Sequence, residues 1–215
     1  MKTSKLFLSI TSAVALLVAS NPALAGDMEQ TAEVHRFEDL SIVEGANAYL
    51  ARMEHGVYMK VTTDGLDPGH AVTMWWVIFN NPTACSGEEC GEDDVFNLNA
   101  DGSFIFNADG SPPLNLEQWD KIQLSLLRAD GVIVPASGSA EFRGHLPVGD
   151  TSEAVLGPGL LDSMKAEVHM VLRDHMTPTA EHQNLMLNSL NGGCEGPFPN
   201  EPCFDPQFAV FKPAM

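Results

Sequence analysis

Residues 71–80 read AVTMWWVIFN, apolar at odd and even positions alike. Successive side chains of a strand point to opposite faces, so such a segment needs cover on both sides and belongs in the middle of a sheet. Trp75 and Trp76 face opposite ways in it, which predicts one indole in the core and the other under a loop.

Around this segment the chain alternates with a period of two. NAYLARME and VYMKVTTD flank His55-Gly56 as the two arms of a tight hairpin, with Val57, Met59 and Val61 on one face and Tyr58, Lys60 and Thr62 on the other. KAEVHMVLRDH is a later strand, with Val168, Met170 and Leu172 inward and Glu167, His169, Val171 and Arg173 outward. Further strands are expected in EVHRFEDLSIVEG, in FIF at 104–106, around Ile122, Leu124 and Leu126 before an Asp130-Gly131 turn, in SAEFRG at 139–144 and in QFAVFK. GPGLLD reads as a turn or short helix, and Thr179 to Leu190 as one helix near the C-terminus. Roughly seven to nine short strands broken by Asp-Gly, Pro and Gly predict an all-β fold. The expected architecture is an antiparallel β-sandwich, immunoglobulin-like or jelly-roll-like, because an α/β chain would need a helix between successive strands.

The first 25 residues combine Lys2 and Lys5, an apolar run from Leu6 to Val18, and Ala23-Leu24-Ala25. This is the pattern of a secretory signal peptide, and the run is shorter than the roughly 20 residues that span a bilayer. The expected organisation is therefore a signal peptide over 1–25 and a single secreted domain over 26–215, periplasmic or extracellular, with no membrane insertion. Removing Lys2 and Lys5 moves the formal charge from -18 to -20. A field of that sign repels phosphate backbones and excludes nucleic acid as a partner class.

Cys85, Cys90, Cys194 and Cys203 are an even set in a chain read as exported, which argues for disulfides. Local pairing, Cys85 with Cys90 and Cys194 with Cys203, brackets the loops CSGEEC and CEGPFPNEPC. Each such closure is worth about 2–3 kcal/mol against nearly 5 for a Cys85–Cys194 link, so chain entropy favours the long link, and the local pairing is expected on proximity, each pair bracketing a loop rich in Gly, Pro, Ser or Glu. A four-cysteine zinc cluster is a further alternative, although neither spacing matches the two-to-four-residue gap of a knuckle.

NLNADGSFIFNADGS, residues 97–111, repeats Asn-Ala-Asp-Gly-Ser within the acidic segment Glu88 to Asp109. Asn97, Asn99, Asp101 and Gly102 occupy positions 1, 3, 5 and 6 of a calcium loop, but position 12 is Ala108 where a bidentate acid is needed. Two hairpin turns account for the same residues. A looser cation site would recruit Asp93 and Asp94, making Asp93, Asp94, Asn97, Asn99 and Asp101 the candidate calcium ligands. Copper is the other candidate ion, through His70, His169 and His175 with His145 nearby, since imidazole and thioether suit it. His169 and His175 lie about 20 Å apart if their strand stays extended. For hydrolysis there is no G-x-S-x-G, no H-E-x-x-H and no phosphate-cradling loop. Paired carboxylates across a sugar cleft remain open, with Trp75, Trp76 and Trp119 available to stack.

The stretches GLDPGHAVTMWWVIFNNPTAC, GPGLLDSMKAEVHMVLRDH and CFDPQFAVFK resemble a group of exported bacterial proteins of uncharacterised activity, along most of residues 26–215. That resemblance implies a secreted β-rich domain and supplies no site residues. A Leu-x-Pro-Gly turn before an apolar strand is similar, more distantly, to fibronectin-like modules and the CHRD domain. The His-x-His strand of CHRD and copper/zinc superoxide dismutase sandwiches is absent, so their metal site does not carry over. The expectation is a non-enzymatic binding or structural domain for a protein or glycan ligand, with a calcium- or copper-binding protein and a carboxylate-dependent hydrolase as alternatives.

Overall fold

The computed structural model describes residues 27–105, 107, 113–194, 196 and 202–214. The signal segment 1–25 and residues 108–111 of the second Asn-Ala-Asp-Gly-Ser copy lie outside them. Two antiparallel sheets pack as a sandwich. The four-stranded sheet runs β1 (Met28–Ala32), β3 (Asn47–Met53), β4 (Gly56–Thr63), β7 (Ala140–Pro147); the six-stranded sheet runs β2 (His35–Arg36), β10 (Phe204–Phe211), β9 (Glu167–Asp174), β5 (Ala71–Phe79), β6 (Leu124–Ile133), β8 (Ala154–Leu156).

The alternation places the core. Leu50, Val57, Met59, Val61 and Phe142 from one sheet meet Val72, Met74, Trp76, Ile78, Val168, Met170 and Leu172 from the other. β5 lies between β9 and β6, the central position that its two apolar faces require. At Gly144 a Cβ would lie 3.0 Å from the Trp76 Cζ2 and from the Met59 Cε, so the missing side chain makes room for the indole.

The other face of the six-stranded sheet is roofed. At the Phe79 end, Phe79 and Leu124 pack with Ile122, Trp119 and the Cys85–Cys90 loop as a second small core. Farther along, α3 (Gln183–Asn188) packs on β5 and β6. Trp75 is only 2% exposed outside the main core cluster, as expected of the indole under a loop. Both disulfides are the local ones, with Cα separations of 5.3 Å for Cys85–Cys90 and 5.4 Å for Cys194–Cys203. By contrast, the outer face of the four-stranded sheet exposes Glu141, Arg143 and His145 and half-exposes Tyr49, Tyr58 and Lys60.

Several local expectations are corrected. The strand expected in EVHRFEDLSIVEG is only the two-residue β2 with an isolated bridge from His35 to Ile42, because the chain leaves β1 in one sheet just before it and enters the other, with buried Val34 at the crossing. Asp130-Gly131 does not turn but lies inside β6, where the register slips by one residue opposite Met74 and Trp75. Asp130 accepts the Gly131 N–H at 2.8 Å and the Arg143 N–H at 2.9 Å, and a Cβ on Gly131 would sit 2.8 Å from the Leu187 carbonyl of α3. The glycine serves close packing of the roof. Ile122 ends a helix, α2 (Leu116–Ile122), capped by Asn115 Oδ1 accepting the Gln118 N–H and closed by Gln123 at φ 51. The helix expected from Thr179 to Leu190 is shorter, Gln183–Asn188, and is joined by α2 and the four-residue α1 (Glu92–Val95). Phe104 bridges Leu98 outside any named strand.

The two ends of the sandwich are closed differently. At the β3–β4 hairpin end, buried Arg52 donates to the Ser163, Ala166, Phe211 and Lys212 carbonyls and to Gln30 Oε1. Desolvation lowers its guanidinium to about 10, still protonated at neutral pH. At the opposite end Thr63 donates to Gln207, whose amide reaches the Asp64 carbonyl at 2.8 Å.

Candidate functional site

The five acidic-segment residues are held in two places by turn and cap hydrogen bonds. Asp94 is buried at the start of α1: Oδ2 accepts the Gly91 N–H at 3.1 Å, and Oδ1 accepts the Ser86 N–H at 2.8 Å and the Gln118 amide at 3.1 Å. Asp93 accepts the Ser86 hydroxyl at 2.5 Å. Together they tie the Cys85–Cys90 loop to α1 and α2. Asp101 accepts the Ser103 hydroxyl and N–H, and these bonds hold its carboxyl below the usual range. Asn99 donates to the same hydroxyl and Asn97 to the Leu114 carbonyl, both at 3.0 Å. Within the same segment, Glu92 has its carboxyl raised by desolvation and then by the neighbouring charges of Asp205 and Asp93.

The histidines occupy separate environments. His169 Nε2 lies 2.8 Å from Glu167 Oε1, which also accepts the Cys90 N–H at 2.8 Å, and its ring leans on Phe79 with centroids 4.8 Å apart. His175 is fully buried in a relay: Trp75 Nε1 donates to Thr73 Oγ1 at 2.7 Å, Thr73 donates to His175 Nε2 at 2.8 Å, and His175 Nδ1 donates to the Gly192 carbonyl at 2.7 Å. Desolvation lowers its pKa, with the Gly192 carbonyl opposing. The neighbouring sulfurs of Cys194 and Cys203 are joined in the disulfide and offer no thiolate. His145 pairs in register with Tyr58 on the water-facing sheet. His169, His175 and His70 are thus not brought around one ion.

At the Thr63 end, His70 and Asp174 form a tight, largely buried polar pair with Asp67 at its rim. His70 Nδ1 is 3.0 Å from each oxygen of Asp174 and 3.9 Å from Asp67 Oδ2. The Asp174 side chain is 2% exposed, His70 16% and Asp67 68%. Asp174 also accepts the Met176 N–H at 2.7 Å, with Met176 itself at φ 68. Among the described residues Asp67, His70 and Asp174 are one of three sets whose ligand atoms fall within 4.8 Å of one another; the other two contain disulfide sulfurs.

The sequence reasoning named His70 but not Asp67 or Asp174. The readable signal was Asp67 three residues ahead of His70 in a Pro-Gly turn; that Asp174 joins them follows from the β5–β9 pairing, where Val72 faces Asp174. Arg173, which donates to Asp205 and to the Leu190 carbonyl beneath the roof, was read only as an outward residue. Desolvation raises the Asp205 carboxyl while Arg173 opposes the shift. Of the tryptophans, Trp75 and Trp76 are buried and Trp119 donates to the Val95 carbonyl at 2.7 Å within the second core. No protein-family model matches this chain, and no curated protein matches it.

Proposed function

We propose that this chain is an exported domain that acts by binding or as a structural surface rather than by catalysis, with a protein or glycan as its ligand. The observation that supports this reading best is the use made of the buried ionisable groups. Arg52, Asp94, Glu167 and His175 each hold backbone or hydroxyl partners inside the fold, which is the work of a scaffold. The signal-like segment, the likeness to exported bacterial proteins and two disulfides suited to an oxidising compartment favour export. The water-facing side of the four-stranded sheet, with Tyr49, Tyr58 and Arg143, has the aromatic and arginine content favoured at interfaces.

The test is binding of the oxidised 26–215 protein to arrays of glycans and exported proteins. Saturable binding weakened at least tenfold by the Tyr58→Ala, Arg143→Ala double variant is expected. Turnover of chromogenic glycosides or esters, abolished by Glu92→Gln or Asp205→Asn, would instead make the protein a hydrolase.

A second reading, calcium binding by the acidic segment, is favoured by the convergence of charge on Glu92, which a cation would relieve. A calcium-specific rise in melting temperature, lost on Asp93→Asn or on Asp101→Ala, is its expected signature.

A further inference from the structure

We propose that Asp67, His70 and Asp174 form a binding site for a divalent transition-metal ion of the Zn2+ class at the Thr63 end of the sandwich. This goes beyond the binding-domain reading and stands independently of which ligand the four-stranded sheet takes.

The spacing fits such an ion. Zinc bonds to imidazole nitrogen and carboxylate oxygen of about 2.0–2.2 Å place neighbouring ligand atoms about 3 Å apart at a right angle and about 3.4 Å apart in a tetrahedron. His70 Nδ1 is 3.0 Å from both Asp174 oxygens. Asp67 Oδ2, at 3.9 Å from Nδ1, is slightly wide, and its side chain is 68% exposed and free to swing inward.

Charge balance is an independent sign. The Asp174 side chain is buried, and its ion-pair partner among the described residues is the imidazole of His70. A carboxylate taken out of water is ordinarily matched by a permanent cation or a metal. Arg173, next in sequence, points to the opposite face of the sheet and serves Asp205. A bound divalent ion would place a permanent positive charge beside this buried side chain.

The backbone that carries the three side chains is also fixed in advance. Gly69 donates to the Val134 carbonyl and His70 to the Asp67 carbonyl, pinning the turn. Reciprocal bonds, Ala71 to Met176 and His175 to Ala71, lock the start of β5 to the end of β9. Without the ion, the Nδ1–H donates to Asp174. With the ion on Nδ1, the ring proton is carried on Nε2, which makes no hydrogen bond among the described residues. Water fills the remaining coordination positions. Calcium would take six to eight oxygens, whereas a nitrogen ligand favours a borderline ion.

The experiment uses the oxidised 26–215 protein, stripped with chelator and titrated with Zn2+, Mn2+ and Ca2+, reading stoichiometry by calorimetry and stability by melting; Co2+ serves as an optical probe of nitrogen and oxygen coordination. One equivalent of Zn2+ should bind and raise the melting temperature by several degrees at a hundredfold excess over the dissociation constant. His70→Ala should weaken binding at least tenfold and Asp67→Ala several-fold. Asp67 is exposed, so that variant keeps the fold even if Asp174→Asn does not. No zinc-dependent shift, a shift equal in wild type, His70→Ala and Asp67→Ala, or a response to Ca2+ alone would overturn the proposal. Absence of zinc binding in the wild type with Tyr58- and Arg143-dependent ligand binding intact overturns this site alone, whereas zinc binding without that ligand binding overturns the binding-domain reading alone.

Discussion

The outer face of the six-stranded sheet lies under α2, α3 and the Cys85–Cys90 loop, while that of the four-stranded sheet meets water along Tyr58, Lys60, Glu141 and Arg143. The strands beneath differ accordingly. β5 shows eight buried positions and one half-buried, whereas β3 alternates buried with half-exposed or exposed. A strand apolar on both faces is stable only if something covers the second one, and here the cover is built from short segments too small to fold alone. Disulfides supply what those segments lack in core.

The sharpest way to break this contrast is a pair of truncations on matched outer positions. Trp75→Ala should cost about 3–5 kcal/mol in urea unfolding, and Tyr58→Ala less than about 1 kcal/mol; equal losses would mean that the roof adds no burial. Next in size, the Cys194→Ala, Cys203→Ala double variant should lose about 2–3 kcal/mol. Its Trp75 fluorescence should shift to the red as water reaches the indole, which a purely entropic role for the disulfide would not produce.

Acid should strain the roof and not the bare sheet. His175 has a lowered pKa when folded, so the unfolded chain binds its proton first, below about pH 6.5. Stability from this residue is intact above that value and falls with pH until the folded pKa is reached. His175→Gln should flatten the slope in that window whatever its baseline stability; an unchanged slope would assign the acid sensitivity elsewhere. The smallest effect belongs to the bare face: Lys60 contacts Glu141 at 2.7 Å with both side chains 39% exposed. Lys60→Ala should change stability by at most about 0.5 kcal/mol, and less in high salt.

The sandwich and the inward sets of β4 and β9 were legible because period-two patterning writes one face directly into the sequence. The roof was less legible, since its signals are ambiguous without neighbours. Asp130-Gly131 looks like a turn until α3 is seen resting on the glycine, and Ile122 alternates with Leu124 although one ends a helix and the other begins a strand. The separation of His169 and His175 followed from strand geometry alone. Asp174 as partner of His70 did not, because residues 104 positions apart meet only through strand pairing.

Arg52 carries a consequence for the order in which the chain is made. Its guanidinium sits in the third strand, yet the carbonyls that shelter it belong to residues 163, 166, 211 and 212. The first two-thirds of the chain can pair β3 with β1 and β4, but of the acceptors around this side chain it supplies only Gln30. The hydrogen-bond shell of Arg52 is thus complete only once residues 163–166 and the strand Phe204–Phe211 with Lys212 are in place.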